Sequence, residues 1–210
     1  MGFFDQLLQF AISGVGIGAI YAIVGLGFMI VYSVTRVVNF AQGEFVMLGG
    51  MVTATLYAAG VPLFLAMAIS VAFTVLIGAL MQRGIIHPAR HASTVTLILL
   101  TFGVSIVIRG IALLVWTTDP KSYPAFSGEK SLAIGQAVIS PQALWVVGTL
   151  AVLAAALYLF FARTMPGKSL QACAINPPAA RLMGISVETM ALLAFALAAA
   201  MGALAGIVTA

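Results

Sequence analysis

The chain has 210 residues, of which 63% are hydrophobic and only 7% are charged, and its mean hydropathy is +1.19. A soluble domain has about a quarter of its residues charged, so this composition excludes a soluble globular protein and predicts an all-α polytopic membrane protein. The net charge of +4 is small and fits membrane orientation better than nucleic-acid binding. The one cysteine, Cys173, excludes an internal disulfide.

Six apolar segments follow one another along the chain, each of about 20 residues and long enough to cross a hydrocarbon core. They cover residues 7–32, 40–59, 62–81, 94–116, 141–162 and 190–210. The N-terminal residues include an acid and no basic stretch, which predicts an uncleaved first span and not a signal peptide. We interpret residues 1–210 as a single transmembrane domain. The sixth segment runs to the last residue without a polar flank, so we expect a truncated piece of a larger helical bundle.

Charges in the loops predict the orientation of the spans. One loop contains Arg83, His87, Arg90 and His91, and a second loop, two spans later, contains Arg163, Lys168 and Arg181. Because basic loops stay in the cytoplasm, we place both there. The loop between them balances acids against lysines and is rich in Ser, Pro and Gly, as an external loop would be. Counting back puts the N-terminus outside and Arg36 inside.

Small residues recur at helical spacing on two spans. They are Gly14, Gly18 and Ala22 on the first and Ala194, Ala198, Gly202 and Gly206 on the sixth. Such stripes let helix backbones come close in lipid, so we expect both stripes to pack inside the bundle.

The second span begins with polar residues that lipid does not tolerate. Asn39, Gln42 and Glu44 lie among apolar residues, shortly after Arg36. An unpaired carboxylate inside a membrane costs about 3 kcal/mol, so Glu44 is predicted to face protein or water. Two interpretations remain open here. Glu44 either lies at the inner interface, satisfied by Arg36 or solvent, or belongs to a broken helix that lines a translocation pathway.

The fourth span carries a polar face of its own. Thr101, Ser105 and Arg109 are spaced four residues apart and share one side of a helix. We predict that Arg109, like Glu44, faces the protein interior, because a lipid-facing charge is costly. Whether these residues line a pathway is a separate question, since the hydroxyls could instead bond their own backbone and Arg109 could extend toward Trp116 and the outer headgroups.

Segment 163–189 is the long polar interruption in the second half of the chain, and it contains a predicted short helix. Asn176 is a good N-cap, Pro177 follows at the first helical position, and Gly184 suits a left-handed stop. About two turns are too short to be stable alone, so this helix either docks on a partner or belongs to a simple connector. On a docking surface, Leu182 and Met183 would give apolar contact, Ala179 and Ala180 would allow close approach, and Arg181 would meet acidic groups.

Two motifs resemble catalytic or binding sites and fail on context. ARTMPGKS, residues 162–169, matches a loose phosphate-loop pattern, but a membrane helix precedes it and Pro166 removes a donor. His87 and His91 have a metal-ligand spacing, but no acid or cysteine is near them in sequence. With no paired carboxylates or Ser-His-Asp set, we do not expect an enzyme.

Two stretches of the chain carry a family resemblance. GIGAIYAIVGLGFMIVYSVTRVVNFAQGEFVMLGG, residues 16–50, and SLQACAINPPAARLMGISVE, residues 169–188, resemble the smaller permease subunit of bacterial branched-chain amino acid ABC importers. Gln42 stands where such permeases commonly have His, and these permeases continue with further helices beyond the end of this chain.

The resemblance implies a multi-pass subunit of the bacterial inner membrane that moves leucine, isoleucine or valine inward. It also implies a second permease subunit, cytosolic ATPase subunits that bind the ATP, and a periplasmic substrate-binding protein, with no cofactor in this chain. Residues 176–184 look like the family's coupling helix, so Asn176, Ala179, Arg181, Leu182 and Gly184 would contact or shape the ATPase interface.

Two other functions remain open from the sequence. A urea or short-amide permease shares the general motif. A secondary transporter or channel is the other, but such proteins usually carry several buried charges, and here only Glu44 and Arg109 qualify.

Overall fold

The computed structural model describes residues 3–117, 123, 132–134, 137–139 and 141–210. The helices in this part of the chain are α1 (Phe3–Thr35), α2 (Gln42–Ala58), α3 (Leu63–Met81), α4 (Thr94–Trp116), α5 (Pro141–Arg163), α6 (Met165–Ile175), α7 (Pro177–Leu182) and α8 (Val187–Thr209). A π-helical turn, Gln82–Ile86, continues α3. Strands β1 (Leu132–Ile134) and β2 (Ala137–Ile139) form an antiparallel hairpin in the loop predicted to be external, and nothing in that loop's composition predicts it.

All six predicted apolar segments are helical, so the predicted fold class is confirmed. Five helical stretches of the described chain are long and apolar enough to cross a membrane: Gln9–Thr35, Leu63–Ile86, Thr94–Trp116, Pro141–Arg163 and Val187–Thr209. The remaining apolar segment, the second in chain order, forms α2, which has 17 residues and a length of about 26 Å. That is slightly less than a hydrocarbon core of about 30 Å, so α2 falls short of the length of the other five.

Helix α8 is the centre of the bundle, with α1, α2 and α3 packed around it. Ala198 and Ala203 of α8 are fully buried. A Cβ atom on Gly49 would overlap the backbone of Ala203, and a Cβ atom on Gly206 would overlap the backbone of Val46. Helices α2 and α8 therefore touch backbone to backbone, which only small residues permit.

The stripe predicted on the sixth span is confirmed, and the one predicted on the first span is wrong. Helix α8 buries Ala194, Ala198, Gly202 and Gly206. Helix α1 exposes Gly14, Gly18 and Ala22, and it buries a different face that includes Gly16, Ala19, Ile23 and Gly27. Both faces of α1 carry small residues at helical spacing, so spacing alone does not distinguish the face that packs.

Helices α4 and α5 lie on the outside of the bundle, and only 17% and 6% of their apolar windows are buried. Helix α5 packs against α1 and α6, whereas α4 touches α2 and the π-helical turn. Few side chains therefore decide how α4 is held, and its polar residues are among them.

Candidate functional site

Segment 163–189, the predicted coupling loop, contains two helices and not one. The first, α6, begins after Thr164, whose Oγ1 accepts a hydrogen bond from the N–H of Gly167 at 3.0 Å. Pro166 lies in the first turn, where a missing N–H costs nothing. Helix α6 is not among the elements predicted from the sequence, although a threonine cap followed by an early proline is a signal for a helix start.

The second helix, α7, has the two end signals that the sequence predicts. Asn176 Oδ1 accepts a hydrogen bond from the N–H of Ala179 at 3.1 Å. At the other end Gly184 has a φ of 79°, and the N–H of Ile185 donates to the carbonyl of Ala180 at 3.0 Å. This left-handed stop satisfies carbonyls that a helix end otherwise leaves without partners. The predicted helix is confirmed, and its role in coupling stays a prediction.

The exposed face of α7 carries the side chains that were expected to meet a partner, with one exception. Leu182 is 89% exposed and Met183 81% exposed, and Ala179 and Arg181 are also exposed. Ala180 is buried instead and packs into the core of this protein. The expectation that Ala180 allows close approach of a partner is therefore wrong.

Helices α6 and α7 are attached to the bundle from two sides. Leu170 and Cys173 of α6 are buried in the same core cluster as Ala180. Burial raises the pKa of the Cys173 thiol, and the charge of Arg181 lowers it in part. Directly after α1, Arg36 Nη2 donates a hydrogen bond to the carbonyl of Ala174 at 2.7 Å. Segment 163–189 is therefore held against the bundle next to the end of α1.

The connection between α1 and α2, residues 36–41, is not helical, and Thr101 of α4 contacts its backbone. Thr101 Oγ1 accepts a hydrogen bond from the N–H of Phe40 at 3.2 Å. Its hydroxyl lies 2.8 Å from the carbonyl of Ile98 in its own helix and 3.2 Å from the carbonyl of Val38. Since Thr101 is seven residues into α4, this contact lies about 10 Å along the helix from its start. Helix α2 thus begins well inside the bundle.

Glu44 is the buried charge of this region. Its Oε1 accepts hydrogen bonds from Ser105 Oγ at 2.8 Å and from Arg109 Nη2 at 2.6 Å. The Glu44 side chain is 5% exposed and that of Arg109 is 66% exposed. The interior position predicted for Glu44 is confirmed. Arg109 turns its guanidinium inward onto Glu44, while most of its side chain is exposed in this chain.

Two pairings considered from the sequence are also wrong. Arg36 does not satisfy Glu44, because its guanidinium lies on Ala174. Arg109 does not extend toward Trp116, whose indole N–H donates instead to Thr55 Oγ1 at 2.7 Å.

Asn39 and Gln42 flank the start of α2 and are almost completely buried. Asn39 Oδ1 accepts a hydrogen bond from the N–H of Ala41, and Gln42 Nε2 donates to the carbonyl of Ala198. Within the described residues, Asn39 Nδ2 and Gln42 Oε1 have no hydrogen-bond partner. Gly27 makes room for this amide, since a Cβ atom there would lie 2.6 Å from Gln42 Nε2.

The structure therefore gathers the five predicted pathway residues where α2 begins against α4. We call Asn39, Glu44, Thr101, Ser105 and Arg109 the polar cluster. Gln42 lies beside this cluster but was not predicted as a site residue. From the sequence it stood out only because related permeases commonly have His at this position.

The chain matches a known family over nearly its whole length. The family described as "Branched-chain amino acid transport system / permease component" matches residues 10–210. The chain belongs to this family of permeases. It is therefore a transport subunit, a multi-pass membrane protein, and works with an ATPase and other components of its transport system.

Individual relatives of this permease are distant but cover most of it. The chain is 28% identical over 223 residues to the high-affinity branched-chain amino acid transport system permease protein LivH of Salmonella typhimurium, covering 97% of this chain and 70% of the relative. It is 28% identical over 219 residues to LivH of Escherichia coli K12, with the same coverage. It is 29% identical over 215 residues to BraD of Pseudomonas aeruginosa, covering 95% and 69%. No solved structure matches the chain.

His87 of this permease has an acidic partner that its sequence neighbours do not reveal. His87 has no acidic neighbour along the chain, but folding brings Glu188 of α8 to 3.0 Å from its Nε2. Sequence spacing carried no signal for this contact.

Proposed function

We propose that this chain is a membrane-spanning subunit of an ATP-driven ABC importer that moves leucine, isoleucine and valine inward across the bacterial inner membrane. The names of the relatives LivH and BraD, branched-chain amino acid permeases, support the substrate class, and their bacterial sources support a location in the inner membrane. The observation that carries the coupling role is α7, a helix capped at both ends, whose last residue Leu182 and the following Met183 are exposed to solvent.

The partners in this proposal are cytosolic ATPase subunits, a second permease subunit and a periplasmic substrate-binding protein. ATP binds to the ATPase subunits and not to this chain. In support, Lys168 of the phosphate-loop-like sequence lies inside α6, after the membrane helix α5. A phosphate loop needs its lysine after a β-strand and a loop of open backbone N–H groups.

Docking of α7 would connect the ATPase directly to α8, the central helix of the bundle. Burying a side chain such as Leu182 against a partner contributes about 1.5–3 kcal/mol, and Arg181 lies beside it to pair with acidic groups at the rim. Only residues 183–186 separate α7 from α8. A displacement of α7 is therefore passed to α8, around which α1, α2 and α3 pack. Alternating access follows when the two positions of α7 favour two arrangements of these spans.

The polar cluster forms part of the translocation pathway in this proposal. Ser105 is close to the middle of α4, and side chains of a helix point toward its N-terminus. The Arg109 guanidinium consequently reaches Glu44 at that level and leaves most of its surface exposed. A charge at that depth needs protein, water or substrate around it and not lipid.

Leu182→Asp tests the coupling role. The variant places a charge in the docking surface, so we expect transport to fall on the order of tenfold or more, since each 1.4 kcal/mol of lost contact energy is tenfold in binding. The ATPase rate of the reconstituted transporter should no longer respond to loaded binding protein. Leu182→Met, which keeps the volume and the apolar character, should behave like the parent.

Gly184 provides a second, independent test of the same helix. Gly184→Val strains the left-handed stop by about 1–2 kcal/mol and should uncouple the transporter, whereas Gly184→Asn, which tolerates that conformation, should not. If Leu182→Asp retains parental coupling and co-purifies with the ATPase, α7 is a connector and the docking proposal is wrong.

Uptake of labelled substrates by the reconstituted transporter tests the substrate class. We expect leucine, isoleucine and valine to be taken up in competition with one another and urea and acetamide not to compete. Uptake of urea but not of leucine would replace this substrate class by the urea or short-amide class.

A further inference from the structure

The loop between α3 and α4 contacts the base of α8 through three side chains. His87 Nε2 lies 3.0 Å from Glu188 Oε2, and Arg90 Nη1 lies 3.4 Å from Glu188 Oε1. Arg90 Nη1 is also 2.7 Å from His87 Nε2. We call His87, Arg90 and Glu188 the loop bridge. It joins two segments that are distant in sequence at the end of the bundle that carries α7.

The local backbone explains why these side chains meet. The N–H of His87 donates to the carbonyl of Gln82 at 2.7 Å, one residue further back than in an α-helix. Pro88 follows and has no N–H with which to continue the helix. On the other side, Ser186 caps α8 and Glu188 stands in its first turn, where a negative charge is favoured.

Glu188 is closely linked to the coupling helix. Ile185, between α7 and α8, packs against the core cluster that also contains Ala180 of α7. The connection is therefore held at its middle and does not absorb a displacement as a slack loop would. A movement of α7 reaches Glu188 within a few residues.

We propose that His87, Arg90 and Glu188 are positioning residues that transmit the movement of α7 to α3 and α4. This inference rests on the proposed docking of α7. Helix α8 receives the movement through the chain itself, whereas α4, which has few contacts with the bundle, receives it through the loop bridge. Helix α4 carries Ser105 and Arg109 of the polar cluster, so the bridge connects the ATPase contact with the pathway.

The exposure of the bridge separates this role from a purely structural one. The side chains of His87, Arg90 and Glu188 are 32%, 46% and 53% exposed. Exposed ion pairs contribute little to stability. A cavity of about 130 Å³, lined partly by His87 and Glu188, lies beside them and leaves room for the bridge to open. Loss of the bridge should therefore change coupling without unfolding the protein.

Charge reversal and charge exchange in the assembled transporter test the proposal. We expect Glu188→Gln and Arg90→Glu each to lower transport and the stimulation of ATPase by loaded binding protein on the order of fivefold, the lower end of typical coupling between sites. Basal ATPase activity and co-purification should be unchanged. The double variant Arg90→Glu/Glu188→Arg restores opposite charges and should recover at least half of both losses.

Arg83→Gln is the matched control, because Arg83 lines the same cavity and its side chain forms no ion pair or hydrogen bond within the described residues. This variant should behave like the parent. The proposal is overturned if Glu188→Gln keeps transport and stimulation within twofold of the parent. It is also overturned if the exchanged pair recovers nothing.

Hydrogen exchange of residues 87–92 in the nucleotide-free transporter separates this proposal from the docking proposal. Glu188→Gln should speed exchange there whether or not α7 docks on the ATPase, and unchanged exchange would contradict the bridge alone. If Leu182→Asp uncouples and the bridge variants do not, docking stands and the bridge is wrong.

Discussion

Glu44 and Arg109 form an unequal pair. The carboxylate is buried at the start of α2, whereas the guanidinium lies on an outer helix with most of its side chain exposed. Arg109 is seven residues from Trp116 at the end of α4, so its long side chain has an alternative position near the headgroups. Glu44 is short and enclosed and has no such alternative. The ion pair therefore stabilises the buried carboxylate more than it stabilises the guanidinium.

Removal of Arg109 should consequently cost more stability than removal of Glu44's charge. Arg109→Gln leaves a buried carboxylate with Ser105 as its known donor, and we expect a loss of about 1–3 kcal/mol in the free energy of unfolding. Glu44→Gln leaves an arginine that can relocate, so its loss should be smaller. The check is unfolding of the purified variants in the same detergent micelle.

The double variant Arg109→Gln/Glu44→Gln is the control, because it removes both charges and should recover part of the loss seen in Arg109→Gln. A larger loss for Glu44→Gln than for Arg109→Gln would contradict this account of the pair.

At the scale of helices, the sequence predicts what depends on local chemistry. The ends of α7 follow from Asn176 and Gly184, and the six apolar segments follow from hydropathy. The π-helical turn Gln82–Ile86 has no such signal. One extra residue in a single turn is too short a change to show in the hydrophobic periodicity of the sequence. The packed face of α1 was missed because two of its faces carry small residues, and only the position of α8 selects between them.

Gly206 tests the backbone contact between α2 and α8. Gly206→Ala adds a Cβ atom that would overlap the Val46 carbonyl, and backbone on a buried helix has nowhere to move. We expect a loss of about 1–3 kcal/mol in the free energy of unfolding and reduced amounts in the membrane. Gly103→Ala is the control, since no atom lies within 4 Å of its added Cβ. Equal melting temperatures for the two variants would show that α2 and α8 do not touch at this point.

The whole molecule has two ends of different character. Contacts of Arg36 with Ala174 and of His87 with Glu188 place the α1–α2, α3–α4 and α5–α8 connections at one end. Six of the nine lysines and arginines of the chain are in these connections: Arg36, Arg83, Arg90, Arg163, Lys168 and Arg181. The sequence predicts that the basic loops share a side, because charge asymmetry is a property of whole loops. It does not predict which side chains meet there, because such contacts depend on how the helices pack.

Cysteine labelling in intact cells tests the direction of the bundle in the membrane, with the basic end predicted to be cytoplasmic. Cys173 is buried, and its raised pKa reduces the reactive thiolate, so the background should be low. Cys173→Ala removes this background. Unlike Cys173→Ser, it buries no hydroxyl group.

The two reporter cysteines are introduced into the Cys173→Ala variant. Ala59→Cys, at the predicted outer end of α2, should react with an impermeant maleimide. Lys168→Cys in α6 should react only after the cells are opened. Both positions are exposed in the structure, so a missing reaction is not due to burial within this chain. Ready labelling of Lys168→Cys from outside, with protection of Ala59→Cys, would invert the topology and place α7 beyond the reach of a cytosolic ATPase.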